Sequence, residues 1–321
     1  AQDPTACAVY LTPTKALGSD QLQATLRMVK GAGLEGIHPA PYDGDTPTES
    51  RAGIREHTRY VFTNPDMLHA SVLGSHARWA RLLRHLKYVV VDECHTYRGV
   101  FGANVALVLR RLLRIAAAYG SSPTLIYASA TAADPAGQAR RLSGREAAAV
   151  TEDAAPSGER TIVLWEPGFI EGAEGEGGAP VRYPATAEAA SVSAELLLQG
   201  ARTLTFVRSR RAAETVAMRT QEHLSAAGRA DMAERVAPYR AGYLAEDRRE
   251  LERRLDDGEL LGVASTNALE LGIDVGGLDA VVMAGFPGTV ASFRQQAGRA
   301  GRRGQSSVAV VVAGDEPMDT Y

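Results

Sequence analysis

Residues Val89-Val90-Val91-Asp92-Glu93-Cys94-His95 run from an apolar stretch straight into two adjacent carboxylates. An unbroken β-branched run of this kind suits a strand buried on both faces of a parallel sheet. In open α/β sheets the carboxyl ends of such strands are where ligands bind. Two acids at that edge fit phosphoryl transfer from a nucleotide, with Asp92 holding hydrated Mg2+ and Glu93 orienting the attacking water. The plain structural alternative is a strand-end turn with two solvated acids.

On either side of this segment, apolar runs of strand length alternate with helical patterns, which predicts parallel sheets covered by helices. Strands are expected near Ala8–Leu11, Tyr60–Thr63, Lys87–Val91 and Thr124–Ala128, then near Thr203–Val207, Gly262–Thr266, Ala280–Ala284 and Val308–Val312. After Gly102, the residues Val105, Leu109, Leu112, Leu113 and Ala116 fall on one side of a helix whose Arg110, Arg111 and Arg114 form a solvated face. Further helices are expected over Arg210–Ala227, Glu246–Asp257 and Val290–Ala300. Thr151–Arg160 is polar and holds Pro156 and Gly158, so the expected domains are 1–157 and 158–321. Gly, Glu and Pro recur in a stretch read as a mobile loop near 168–184, where Glu171, Glu174 and Glu176 would repel a phosphate.

The chain has 321 residues, 45% hydrophobic and 23% charged, a globular balance with room for two α/β domains. No apolar run approaches the ~18 residues of a membrane span, and the first residues do not read as an export signal. With 35 basic against 38 acidic residues the formal charge is −3, so a nucleic-acid site has to be a local groove rather than a global field. All but three of the basic residues are arginine, which coding bias explains as simply as function, alanine being abundant too. Two cysteines, Cys7 and Cys94, are too few for a disulfide scaffold or a four-ligand zinc site. A reducing, cytoplasmic setting is expected. His69, His76, His85 and Trp79 read as packing or surface residues.

Two other segments carry chemistry. Tyr127-Ala128-Ser129-Ala130-Thr131 ends a buried strand with small hydroxyl residues, which alone suggests a helix cap. Gln295-Gln296-Ala297-Gly298-Arg299-Ala300-Gly301-Arg302-Arg303 lies in or just after a helix. Its glycines allow close backbone approach, and guanidiniums three apart on one face could grip a phosphate chain bidentately. A basic solvated helix end is the alternative.

In order and separation these segments resemble motifs II, III and VI of the superfamily 2 DExH-box helicases. Leu11-Thr12-Pro13-Thr14-Lys15-Ala16-Leu17 resembles motif Ia, and Thr63-Asn64-Pro65-Asp66-Met67-Leu68 resembles motif Ib. Phe206-Val207-Arg208-Ser209-Arg210 is similar to motif IV, and Ser265-Thr266-Asn267-Ala268-Leu269-Glu270-Leu271-Gly272-Ile273-Asp274 to motif V. Within the superfamily the combination looks most like the MrfA (YprA) and Hrq-type DNA-repair helicases. The resemblance implies two RecA-like parallel-sheet lobes in tandem. Motif I, the glycine-rich loop with lysine and Ser/Thr, finds no counterpart: Lys15, Lys30 and Lys87 follow Thr14, Val29 and Leu86 rather than glycine. The first lobe is therefore expected to lack its N-terminal phosphate-loop segment, and the chain alone is expected to turn over nucleotide poorly or not at all.

For the intact enzyme the resemblance implies ATP and Mg2+ as cofactors and single-stranded or tailed duplex DNA as partner, with 3′-to-5′ movement of a monomer powered by hydrolysis in the cleft between the lobes. Carried over residue by residue, it makes Asp92, Glu93, Arg299 and Arg302 catalytic, with Asp92 holding Mg2+ through water. Gly272, Asp274 and Gln295 would also contact the nucleotide. Thr14, Lys15, Thr63, Asn64, Arg208, Ser209, Thr266 and Asn267 would hold the nucleic-acid backbone. His95, Ser129 and Thr131 would couple the two sites. The alternatives are a non-catalytic nucleic-acid-binding scaffold with the same fold and an RNA-directed helicase.

Overall fold

The computed structural model describes residues 3–319, apart from 35, 131, 153–157, 176–177, 240–244, 271–275, 303 and 317–318. The chain divides into two compact units, Ala1–Glu152 and Asp153–Tyr321. Each is a parallel α/β layer structure, the architecture expected from the alternating pattern.

The first unit runs β1 (Cys7–Leu11), α1 (Lys15–Gly31), β2 (Pro39–Pro41), α2 (Ser50–His57), β3 (Tyr60–Thr63), α3 (Pro65–Met67), α4 (Ala80–Arg84), β4 (Leu86–Val91), α5 (Gly99–Ala118), β5 (Thr124–Tyr127) and α6 (Pro135–Ser143). Its five strands are parallel and ordered β2-β3-β1-β4-β5. The central strand β1 points Cys7, Val9 and Leu11 into a core shared with Val89, Val91, Leu109 and Leu112. The stripe anticipated after Gly102 is the buried side of α5: Val105, Leu109, Leu112, Leu113 and Ala116 are all buried. Gly102 is needed there, because a Cβ would lie 2.4 Å from the Tyr97 carbonyl oxygen. That contact lets α5 start close behind the carboxylate turn. Trp79, 1% exposed, is core and stacks edge-on against Tyr42.

The second unit runs β6 (Arg160–Trp165), β7 (Phe169–Glu174), β8 (Pro180–Arg182), α7 (Ala185–Leu198), β9 (Thr203–Phe206), α8 (Arg210–Ala226), α9 (Ala230–Ala233), β10 (Val236–Tyr239), α10 (Ala245–Asp256), β11 (Gly262–Ser265), β12 (Ala280–Ala284), α11 (Val290–Ala297) and β13 (Ser307–Val312). Six parallel strands are ordered β10-β11-β9-β12-β13-β6. One face packs on α7 and α8 through Ala190, Ala213, Val216 and Val282. The other closes over Leu204, Phe206, Val281 and Met283 with Leu255 and Ala297.

The stretch expected to be a mobile loop near 168–184 contains two strands, β7 paired antiparallel with β8. Sequence periodicity misses them because glycine and glutamate dilute the alternation. Their open end is braced by a cross-strand pair: the Arg182 guanidinium lies 4.2 Å from the ring centroid of Phe169, its register partner, and its Nη1 donates to the Pro167 carbonyl at 2.7 Å. Among the described residues no helix is long and apolar enough to cross a membrane.

Candidate active site

The carboxylate pair stands at the carboxyl edge of the first sheet, where β4 ends between β1 and β5. The backbone ladder continues past the strand: Asp92 N–H donates to the Leu11 carbonyl at 2.9 Å, and Cys94 N–H donates to the Ala128 carbonyl at 2.9 Å. Between them Glu93 has φ +46°, the single left-handed non-glycine residue among those described. Such a conformation costs a residue like glutamate roughly 1–3 kcal/mol and persists only where its surroundings enforce it, commonly at functional sites. The Thr96 hydroxyl supports the turn, donating to the Glu93 carbonyl at 2.8 Å.

Asp92 is buried. Its Oδ1 accepts from Glu93 N–H at 2.9 Å, and its Oδ2 accepts from the Tyr10 hydroxyl at 2.8 Å. Burial, and then the bond to Asp92, push the Tyr10 hydroxyl well above its usual range, so it remains a neutral donor. Among the described residues no cluster of three or more His, Cys, Asp or Glu could cage a metal ion. Mg2+ is commonly held by one or two carboxylates, with waters and substrate phosphates completing the octahedron. The lone buried carboxylate of Asp92 therefore fits an ion that arrives with a phosphate chain.

Next along the turn, buried His95 places Nδ1 3.2 Å from Glu93 Oε2 and 3.1 Å from Ser129 Oγ. Ser129 is the hydrogen-bond partner of the ring, and Glu93 stands at ion-pair distance from the same nitrogen, so one imidazole sits between the acid of the first motif and the hydroxyl of the second. Burial pushes the neighbouring Cys94 thiol up to about 11, which keeps it protonated and unreactive at neutral pH. Thr131 lies outside the described residues.

The residues read as nucleic-acid contacts in this unit do local work as well. Thr14 caps α1 by accepting from Leu17 N–H at 3.3 Å, and Asn64 caps α3 by accepting from Met67 N–H at 2.8 Å. The buried Thr63 hydroxyl donates to the Tyr42 carbonyl at 2.7 Å. Lys15 is half exposed and pairs with exposed Asp45 at 2.7 Å. With Thr14 turned onto its own helix, what the start of the 17-residue α1 offers an anion is chiefly backbone N–H groups.

In the second unit Ser209 likewise caps α8, accepting from Ala212 N–H at 3.1 Å. Arg208 Nη1 bonds to Glu316, while Nη2 donates to the Phe286 carbonyl at 3.2 Å and lies 3.5 Å from Asp319 Oδ1. Asp319 also accepts from the N–H groups of Phe286 and Gly314, each at 2.8 Å. Its role carried no sequence signal. Thr266 is buried at the end of β11 and Asn267 is exposed beyond it.

The arginine segment corrects one expectation. Arg299 and Arg302 do not share a helix face, because α11 ends at Ala297 and Gly298 is its cap. Gly301 then takes φ +77°, where a Cβ would lie 2.6 Å from Ser307 Oγ. The two side chains then sit in different environments. Arg299 is buried, and its Nη2 donates to the Glu270 carbonyl. Arg302 is exposed, with Nε donating to the Gly298 carbonyl at 3.2 Å. The neighbouring glutamines also divide: Gln295 is partly exposed, whereas buried Gln296 donates to the buried Glu270 carboxylate at 2.8 Å. Glu270 and Gln296 were not singled out from sequence. Gly272 and Asp274 fall outside the described residues.

The family described as DEAD/DEAH box helicase matches residues 1–138, and the helicase conserved C-terminal domain matches residues 188–304. Both units of the chain thus match helicase family models. It is 44% identical over 321 residues to the ATP-dependent helicase YprA of Bacillus subtilis, covering 100% of this chain and 42% of that protein. It is 43% identical over 324 residues to the ATP-dependent helicase HRQ1 of Saccharomyces cerevisiae, covering 100% of this chain and 30% of that protein. A crystal structure of the DUF1998 helicase MrfA bound to DNA and AMPPNP superposes with a TM-score of 0.91 at 44% identity, over 100% of this chain and 43% of that one. The chain thus spans less than half the length of these relatives, and its two units have the RecA-like fold.

Proposed function

We propose that this chain is the motor core of an ATP-dependent DNA helicase, converting ATP hydrolysis into 3′-to-5′ movement along single-stranded DNA in DNA repair. The observation that carries the reading is the buried Asp92 beside the left-handed Glu93 at the carboxyl edge of a parallel sheet, tied through His95 to Ser129. In this reading Asp92 holds Mg2+ through water and Glu93 orients the attacking water. Mg2+ neutralises charge on the phosphates when bound. Arg302 stabilises the charge that grows on the transferred phosphoryl group, buried Arg299 holds the turn that carries it through the Glu270 carbonyl, and Gln295, Gly272 and Asp274 contact the nucleotide. His95, Ser129 and Thr131 pass its state to the strand-binding residues.

Thr14, Lys15, Thr63, Asn64, Arg208, Ser209, Thr266 and Asn267 line the path of the strand. The capping geometry adds a refinement: phosphates meet backbone N–H groups at the starts of α1 and α8, while Lys15 and Arg208 supply charge. Contacts of this kind position a strand without reading its bases, so binding is salt-sensitive and weakly sequence-selective. DNA as substrate is supported by the DNA and AMPPNP held by MrfA.

The test is steady-state ATP hydrolysis by the full-length protein with single-stranded DNA, with RNA of the same sequence, and with neither. Stimulation by DNA is expected, together with unwinding of duplexes bearing a 3′ tail in preference to a 5′ tail. Stimulation by RNA alone would move the protein to the RNA-directed class, and strand binding without any hydrolysis would make it a scaffold.

A further inference from the structure

Tyr10 belongs to none of the helicase motifs, yet it reaches the centre of the candidate machinery. On β1 it faces away from Cys7, Val9 and Leu11, onto the side of the sheet that carries Tyr60 and Phe62. Its ring stacks on Phe62 with centroids 5.0 Å apart and planes 25° from parallel, and Tyr60 meets it edge-on at 6.2 Å. Tyr60 and Phe62 also touch, at 4.8 Å. Packing on two rings fixes the orientation of the phenol, and its hydroxyl donates to Asp92 Oδ2 at 2.8 Å. Since Glu93 N–H donates to Oδ1, both oxygens of the carboxylate are held, and each keeps a lone pair for a further partner. The hydroxyl oxygen also lies 3.4 Å from Gln21 Oε1 on α1, the helix that Thr14 caps.

We propose that Tyr10 is a positioning residue whose hydroxyl fixes the plane of the Asp92 carboxylate for its hydrated Mg2+. The inference rests on the reading of Asp92 as the Mg2+ carboxylate. A hydrogen bond to a charged acceptor is among the stronger ones in proteins. Losing it frees the carboxylate to rotate about its last bond, which weakens the metal-dependent part of nucleotide binding before anything else.

Tyr10→Phe in the full-length protein keeps the ring stack and removes only the hydroxyl. Equilibrium binding of a fluorescent ATP analogue is measured with and without Mg2+, alongside a Mg2+ titration of DNA-stimulated hydrolysis. The tightening that Mg2+ confers should fall by about tenfold, and the Mg2+ concentration for half-maximal hydrolysis should rise by a similar factor. Metal-free nucleotide binding should not change, and the melting temperature should fall by only a few degrees, as expected for one lost bond to a buried carboxylate. In an Asp92→Asn background, Tyr10→Phe should add nothing to the loss of Mg2+ dependence. Unchanged Mg2+ dependence in Tyr10→Phe, with or without a lower melting temperature, would overturn the proposal. If Asp92→Asn alone kept wild-type Mg2+ dependence, the assignment of Asp92 would fail and this proposal with it.

Discussion

The acids and the arginines of the candidate machinery are held by different kinds of structure. Asp92 and Glu93 continue a strand: their backbone is tied on both sides by the sheet ladder, and their side chains are held by Tyr10 and His95. Arg299 and Arg302 follow the end of a helix in a turn shaped by Gly301. Within that turn Arg299 is 5% exposed and bonded inward to Glu270, whereas Arg302 is exposed. The sheet edge therefore anchors the short turn that carries both acids, while the turn after α11 gives one arginine a packing role and leaves the other its reach. Chemically equivalent guanidiniums three residues apart should thus respond differently to the same substitution.

The largest expected effect is on the acid side. Glu93→Gln keeps the shape and removes the charge that orients water, so ATP turnover by the full-length protein should fall by about a thousandfold while nucleotide binding persists. Turnover near wild type would remove Glu93 from this role. On the arginine side, Arg302→Ala should lower turnover by up to about a thousandfold, the scale of an arginine finger, with no change in melting temperature. Arg299→Ala should lower both, because it opens a buried space and strips a donor from the Glu270 carbonyl. Equal thermal stabilities for the two alanine variants would erase the contrast drawn above, and a matching loss of strand binding in Arg302→Ala would make that arginine a nucleic-acid contact.

A smaller effect isolates the support of the turn. Gln296→Ala leaves the buried Glu270 carboxylate without the 2.8 Å donor it now has. The expected cost is about 2 kcal/mol, which corresponds to roughly 5 °C in the melting temperature of a unit this size. Differential scanning calorimetry would check it; a shift under about 1 °C would mean that water replaces the glutamine and that the turn does not depend on it.

What was legible in the sequence follows the same division. Strands β1, β3, β4, β5, β9, β11, β12 and β13 are placed by the sequence within a residue or so because short, largely apolar runs between helical patterns suit buried parallel strands, and the buried side of α5 is readable from its spacing alone. Shorter or diluted strands gave no such signal: β2 is Pro-Ala-Pro, and β7 is interrupted by Gly172. At the site, the acids were readable because a strand end presents them. The separation of Arg299 from Arg302 was not, because it depends on where α11 stops and on the left-handed Gly301. Tyr10 escaped notice because an aromatic residue on a strand is ordinary until its register against Phe62 and Asp92 is known.

The smallest effect concerns Lys15, where structure predicts almost no thermodynamic signature. Its pair with Asp45 is 2.7 Å long, but both side chains are substantially exposed, at 48% and 77%. An exposed pair of this kind contributes about 0.5 kcal/mol or less, so Lys15→Ala should barely move the melting temperature. If Lys15 exchanges Asp45 for a phosphate when the strand binds, the variant loses one neutralised charge. The slope of log affinity against log salt for single-stranded DNA should then become shallower by about 0.7. A fluorescence-anisotropy titration of the full-length protein at several salt concentrations measures that slope directly. An unchanged slope would leave Lys15 as half of a surface ion pair, and the approach of the strand to α1 would rest on the backbone N–H groups of its first turn alone.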